Sequence, residues 1–163
     1  MRKAGVQLSR FQFMILAFGF VVFGLGTQQA RGEENAYIIK PSKYSVLTTI
    51  DRLERIAKKR GLTIFARVNH QASAQTAGQS IVPSEVLIFG SPKMGTPLIK
   101  ENPVMGLVLP MRVLSYRGPK GKTWITYLKP EVMLKGSKVA EDKKIIQNMT
   151  RALASMTRWA SGS

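Results

Sequence analysis

The sequence predicts a single α+β domain, in which a mixed or mostly antiparallel sheet carries helices on one side. Three observations support this fold class. Apolar residues recur with strand and helix periods in the order β-α-β-α-β-α-β-β-α. A turn at residues 118–121 joins two runs of strand-forming residues, 111–116 and 123–128, into a hairpin. The hairpin and the short connections argue against the main alternative, a doubly wound parallel sheet.

The first half of the domain contains two predicted strands and one well-marked helix. A short strand is expected over residues 36–39. Residues 45–60 place apolar side chains three and four positions apart on one face, which is typical of an amphipathic helix that Gly61 ends. Residues 62–68 alternate as a strand does. Residues 71–79 are rich in small side chains and predict a short helix packed closely against a neighbour.

The second half is organised around residues 83–110, which contain five of the eight prolines. A central strand, buried on both faces, is expected over residues 86–89. We expect residues 90–95 to be irregular and a helix to run from Pro97 to Glu101, with Thr96 as its N-cap. A helical turn follows at residues 130–134. The last helix, 142–159, carries an apolar stripe expected to belong to the core.

The first 32 residues have the pattern of an export signal. Basic residues precede an uncharged apolar run, Phe13–Gly26, and small residues follow at Ala30 and Gly32. The pattern predicts cleavage near Gly32 and a mature domain, 33–163, that is periplasmic or secreted. The alternative is an uncleaved membrane anchor, although a span usually needs about 20 residues. The chain has no cysteine, which excludes a lipoprotein anchor, a disulfide and a cysteine nucleophile.

The charge of the chain limits the classes of partner that can be expected. The net charge is +16, and after the predicted signal 21 basic residues face nine acidic ones. Such a surface attracts anionic lipid head groups and acidic partners without specificity, so weak contact with an anionic membrane is expected. Nucleic acid is not an expected partner, because no basic run is interleaved with aromatic residues and export removes the chain from the cytoplasm.

The single histidine, His70, is the first candidate site residue. It follows a predicted strand, and strand ends are where side chains reach a site. An imidazole there could ligate a metal or act as a base, and the alternative is a histidine bonded within a turn. One histidine without cysteine is a poor zinc site, whereas haem iron needs only one or two axial ligands. The Met94 thioether is a weaker metal-ligand candidate.

Three further residues complete the candidate ligand-binding set: Lys93, Thr96 and Glu85. Lys93 precedes the predicted helix and lies among glycines that let backbone amides approach an anion, so it is a candidate anion clamp. The alternative is a surface lysine on a rigid loop. For Glu85, at the start of the predicted buried strand, an ion-pair role is favoured over acid catalysis.

Several motifs resemble the bacterial family called domain of unknown function 302. They are Asn69-His70, the string P-S-E-V-L-I-F-G-S-P-K-M-G-T-P-L at residues 83–98, and G-L-V-L-P at residues 106–110. The similarity runs from residue 37 to residue 134, and the last helix fits as well. The resemblance implies a compact α+β domain that forms homodimers, and it implies no activity. It also implies binding of haem b in some members, with His70 as the natural ligand. The export signal and the strong basic charge depart from the usual member.

The sequence leaves three functions open. The first is an exported or accessory module that binds haem, a metal or a small anion between His70 and the 90–97 loop. That site requires strands 62–68 and 86–89 to bring the two features together. The second is a ligand-free structural or interaction protein of the cell envelope. The third is an enzyme, for which the chain offers no recognisable catalytic set.

Overall fold

The computed structural model describes residues 36–163, which form an open five-stranded sheet with helices on one face. The strands, in the spatial order β1-β5-β4-β3-β2, are β1 (Tyr37–Ser42), β2 (Thr63–Asn69), β3 (Ser84–Gly90), β4 (Met111–Arg117) and β5 (Thr123–Leu128). The helices are α1 (Val46–Lys59), α2 (His70–Thr76), α3 (Pro92–Glu101), α4 (Pro130–Met133) and α5 (Lys143–Ser161). Every strand pair is antiparallel, so the α+β prediction is confirmed and the doubly wound alternative is wrong.

The hydrophobic core lies between the sheet and the pair α1 and α5. Leu87 and Phe89 of β3 are fully buried there, together with Leu53 of α1 and Leu153 of α5. Each of these helices begins directly after a polar residue that caps it. Ser45 accepts a hydrogen bond from the amide of residue 48, and Asp142 accepts from the amides of residues 144 and 145.

The opposite face of the sheet is not covered by any described element. Val86 and Ile88, which alternate with the buried residues of β3, are only half-buried. On β1, Tyr37 is 49% exposed and Ile39 is 52% exposed. The expectation that β3 is buried on both faces is therefore wrong, because the helices cover one face only.

The region after β3 also differs from the prediction. Residues 90–95 were expected to be irregular, with Thr96 capping a helix from Pro97, but α3 already begins at Pro92. Pro92 occupies a first-turn position, where a proline costs no hydrogen bond. The carbonyl of Ser91 accepts from the amides of Met94 and Gly95, which closes the first turn. Pro97 is consequently inside the helix, where the sequence had suggested its start.

Two further helices depart from their predicted packing. The predicted 71–79 helix is shorter, and every residue of α2 is at least partly exposed, so the close packing expected from its small side chains is wrong. In α5, Leu153, Met156 and Ala160 are buried. The predicted stripe is correct only in part, because Trp159 is 40% exposed and Met149 lies outside the buried core.

The predicted signal, residues 1–32, lies outside the described residues. Within residues 36–163, no helix is both long and apolar enough to cross a membrane. Export and cleavage therefore stay predictions.

Candidate functional site

The sheet register separates the two features that the sequence suggested for one site. Strands β2 and β3 are neighbours, as that hypothesis required, but they are antiparallel: Thr63 pairs with Gly90 and Asn69 pairs with Glu85. His70 follows Asn69 at one end of β2, whereas the 90–97 segment follows β3 at the other end. A seven-residue strand spans about 20 Å, so the expectation of one shared site is wrong.

His70 stands in an open part of the surface. It is the first residue of α2, whose N-cap Asn69 accepts from the amide of Ala72. The side chain of His70 is exposed, and α2 offers no buried residue around it. This placement favours a surface helix-start histidine over a ligand to a buried group.

An apolar groove lies at the opposite end of the sheet. Its volume is about 590 Å³. One wall is α3, and the other is built from the start of β2, the segment 109–111 and the first turns of α5. The apolar side chains that line it include Phe65, Met94, Ile99, Met111, Ile145 and Met149. Met94 is 62% exposed and Ile99 is 38% exposed, so these apolar groups face solvent rather than core.

The wall formed by α3 contains two prolines and no buried residue. Pro92 and Pro97 have no backbone N–H and so donate no hydrogen bond within the helix. Every residue of the helix is at least partly exposed. Gly95 faces the groove, and a Cβ built on it would meet only Leu109 Cδ1, at 4.0 Å. The space beside Gly95 is thus available to a ligand atom.

The predicted ligand-binding residues divide between the groove and the rest of the sheet. Met94 and Thr96 line the groove. Lys93 lies on α3 between the lining residues Pro92 and Met94, and its side chain is exposed. The amides of Met94 and Gly95 bond to Ser91, so the loop of free backbone amides envisaged for an anion clamp does not form. His70 and Glu85 lie at the other end.

Glu85 belongs to an ion-pair cluster between β2, β3 and α1. Its carboxylate, 6% exposed, accepts a hydrogen bond from Arg67 Nε. Arg67 Nη1 also lies 2.7 Å from Asp51 Oδ1 and 3.1 Å from Glu54 Oε2. This confirms the ion-pair role favoured for Glu85, and it leaves that carboxylate occupied.

The electrostatics of this cluster follow from its contacts. The hydrogen bond to Glu85, and then that to Asp51, raise the pKa of Arg67 despite partial burial. The hydrogen bond from Lys58 is the largest cause that lowers the pKa of Glu54, against the effect of burial. Each of these charges therefore has a partner, and the ion pairs connect α1 to strands β2 and β3.

The fit of a haem or metal can be judged from these positions. His70 does not line the groove, so a haem lying there could not use it as an axial ligand. Thioethers do line the groove, at Met94, Met111 and Met149. Within residues 36–163, no group of three His, Asp or Glu side chains could hold a metal ion. The residues thus do not fit the predicted haem site between His70 and the 90–97 loop, because that segment lines the groove and His70 does not.

The sequence could have revealed part of the groove. The apolar spacing placed Ile145 and Met149 in the core stripe of the last helix. Periodicity cannot show which turns of a helix extend beyond the sheet that it covers. Phe65 was read as part of an alternating strand, but a register shift between Ile64 and Ala66 interrupts that alternation. The one available signal was the proline and methionine content of the segment around Met94.

Comparison with known families settles the family. The model of the family described as "Domain of unknown function DUF302" matches residues 38–156. The chain belongs to the DUF302 family. This confirms the resemblance carried by the 83–98 string and by Asn69-His70, and the family description itself specifies no activity.

Relatives of this DUF302 chain are found within longer proteins. It is 32% identical over 130 residues to the fluoride-specific ion channel FluC 1 of Brucella suis biovar 1 (strain 1330), covering 79% of this chain and 51% of that protein. The fluoride-specific ion channel FluC 2 of Brucella melitensis biotype 1 shows the same identity, with 48% of that protein covered. The chain thus spans about half the length of these curated relatives.

A solved DUF302 structure supports the fold. The crystal structure of the uncharacterized conserved protein DUF302 from Bacillus stearothermophilus superposes with a TM-score of 0.59 at 18% identity. The match covers 77% of this chain and 95% of that chain. The likeness is therefore one of architecture, over nearly the whole of the bacterial domain.

Proposed function

We propose that this DUF302 chain binds an apolar small molecule in the groove between α3 and the start of α5. The observation that carries the proposal is a concave space of about 590 Å³ whose walls are mainly apolar side chains. Small-molecule sites are usually clefts of about 300–1,000 Å³ with such walls. Thr96 and Ser91 are among the few polar side chains in the lining, so the site favours an apolar body with few polar groups.

A neutral alkanol is the direct probe of this proposal. A ligand that binds only the folded state raises the melting temperature, so 1-decanol should raise that of the full-length chain. Gly95→Phe should remove the effect, because its ring fills space that is otherwise open beside Leu109. Its own melting temperature should stay close to that of the wild type. No effect of decanol on the wild type, or an equal effect on Gly95→Phe, would contradict the proposal.

The proposed setting of this activity is the cell envelope. The N-terminal export pattern supports a periplasmic or secreted accessory protein, and the basic surface supports weak contact with an anionic membrane. The matches to channel proteins support a place beside a membrane protein. Fractionation followed by N-terminal sequencing tests the export step: a start near residue 33 is expected, and a start at Met1 would rule out cleavage.

A second candidate function, self-association as an interaction module, is favoured by the uncovered sheet face. Val86 and Ile88 on this face are half-buried, and the strip that contains Val86 continues through Leu114 and Thr126 to Ile39 on the edge strand β1. Pairing with the same face of a second copy would bury the strip in a symmetric interface. Sedimentation should give about twice the 18.1 kDa chain mass, and Ile39→Asp should shift it to one chain. A wild-type monomer at the same concentration would contradict the homodimer.

A further inference from the structure

We propose that the ligand of the groove is a single-chain amphiphile with an anionic head group, a long-chain fatty acid, held by Lys93 and Lys100. The inference rests on the proposed function and specifies its ligand. The apolar chain would lie in the groove, and the carboxylate would stay at the rim formed by α3.

The position of the two lysines follows from helix geometry. Lys93, Pro97 and Lys100 are spaced four and three residues apart, so they lie along one face of α3. Pro97 and its neighbour Thr96 line the groove. Both lysine side chains are exposed, which leaves them free to reorient along the rim. A head group near Pro97 would therefore have a cation about one helical turn away on each side.

The charges around the groove favour an anion over a cation. Within residues 36–163, neither Lys93 nor Lys100 forms an ion pair with an acidic side chain. On the other wall, Lys144 precedes the lining residue Ile145. The acids nearby in sequence are Glu101, at the end of α3, and Glu141 and Asp142, which precede α5; the carboxylate of Asp142 already accepts the two amides at the start of that helix. Lys143, the first residue of α5, is a further exposed cation, so four lysines stand against three acids. The balance at the rim is positive.

The apolar interior fixes the orientation of such a ligand. An ionised carboxylate buried among the side chains of Met94, Ile99 and Met149 would lose its hydration without compensation. The same carboxylate at the rim keeps water on one side and lysines on the other. An acyl chain gains most from a concave site, because the walls of α3 and α5 can cover it from two sides, whereas a flat bilayer would touch only the rim.

The test compares three ten-carbon amphiphiles, decanoate, 1-decanol and decyltrimethylammonium, at concentrations below micelle formation and at low salt. Dissociation constants for the full-length chain are measured by calorimetry or by displacement of a neutral fluorescent dye. Each exposed lysine pair contributes modestly, so decanoate should bind roughly fivefold to tenfold more tightly than decanol. The cation should bind more weakly than decanol. The preference should shrink in 1 M salt, where the screening length is about 3 Å.

Two charge variants assign the effect to the rim. Lys93→Gln/Lys100→Gln should reduce decanoate binding to the level of decanol and leave decanol binding unchanged. The matched control is Lys120→Gln/Lys122→Gln, which removes two exposed lysines from the β4–β5 turn at the other end of the sheet and should leave the preference intact. Both double variants alter only exposed side chains, so folding should be retained.

The outcomes separate this inference from the proposed function. If none of the three amphiphiles binds, the groove proposal itself fails. If decanol binds as tightly as decanoate, the groove proposal stands and the anionic ligand is wrong. A decanoate preference that survives in Lys93→Gln/Lys100→Gln would overturn the assignment to these lysines. Binding to anionic phospholipid vesicles without binding of monomeric decanoate would replace the fatty acid with a membrane surface.

Discussion

The two ends of the sheet in this DUF302 chain are built from opposite kinds of surface. At the end that leads to α2, charged groups are paired: Arg67 bonds to Glu85 and also contacts Asp51 and Glu54. At the other end, between α3 and α5, apolar side chains such as Met94 line an open groove. At the first end the charged groups have partners, whereas at the second end apolar side chains remain exposed to solvent.

The difference separates residues that hold the fold from residues available to a ligand. A charge that already has its partners has little left to offer a small molecule. An apolar side chain exposed in a concave site gains free energy when something covers it, by about 25 cal/mol for each Å² removed from water. The groove is therefore a better candidate for ligand binding than His70, even though the histidine is the more conspicuous residue in the sequence.

The largest effect is expected from breaking the ion-pair cluster. Arg67→Met leaves the buried carboxylate of Glu85 without its partner, and removing one side of such a pair costs about 3 kcal/mol in free energy of unfolding. Urea denaturation measures this cost. The double variant Arg67→Met/Glu85→Leu should recover most of it, because the unpaired charge is gone. A loss below about 1 kcal/mol in the single variant would show that the cluster contributes little to the free energy of unfolding.

Two methionines, one buried after α3 and one exposed in the groove, should give the next largest difference in the free energy of unfolding. Met105, 3% exposed, lies in the turn after α3, and Met105→Ala should cost at least about 2 kcal/mol because it leaves a cavity. Met94→Ala removes a side chain that is 62% exposed, so its cost should be below about 1 kcal/mol. Thermal or urea unfolding compares the two. Equal costs would mean that Met94 is packed as core and that the groove is closed.

The pH dependence of stability should carry a smaller signature of the cluster. The pKa of Glu54 is lowered in the folded state, chiefly by Lys58, so its contribution is complete above the ordinary value of 4.5 and is lost as the pH falls through the folded pKa. Between neutral pH and pH values below that range, the wild type should lose about 0.5 kcal/mol more than Glu54→Gln. The exposed Glu141→Gln is the control and should follow the wild type. An identical loss in Glu54→Gln would contradict this assignment.

The smallest effect is expected at His70. His70→Ala alters an exposed side chain, so the free energy of unfolding should change by less than about 0.5 kcal/mol. Decanol and decanoate binding should be unchanged, since the groove is at the other end of the sheet. Haem titration supplies the opposing test. A Soret shift in the wild type that vanishes in His70→Ala would restore the histidine as a ligand site.

Sequence reasoning predicted the fold well because its signals are local. The period of residues 45–60, the hairpin turn at 118–121 and the family motif at 83–98 each depend on neighbouring residues, and each led to the correct element or family. The pairing of Glu85 was also foreseen from its place beside a strand. These features need no knowledge of which strands are neighbours or of their direction.

The site could not be predicted in the same way, because it depends on the direction of the strands and on which parts of the sheet the helices cover. Antiparallel pairing of β2 and β3 sends His70 and Met94 to opposite ends, and nothing in the two strand sequences specifies that choice. The early start of α3 at Pro92 changed the 90–97 loop into a helix wall. Met149 lines the groove rather than the buried core, which depends on how α5 and α3 are placed in the assembled fold.

Methionine methyl NMR can show directly whether a ligand occupies the groove, because residues 36–163 have methionines both inside and outside it. With 13C-methyl methionine, a titration of decanoate into the full-length chain should shift the signals of Met94, Met111 and Met149. Met133, buried in α4, is the internal control and should not move. Unchanged signals of Met94, Met111 and Met149 at every decanoate concentration below micelle formation would show that the groove does not bind this ligand.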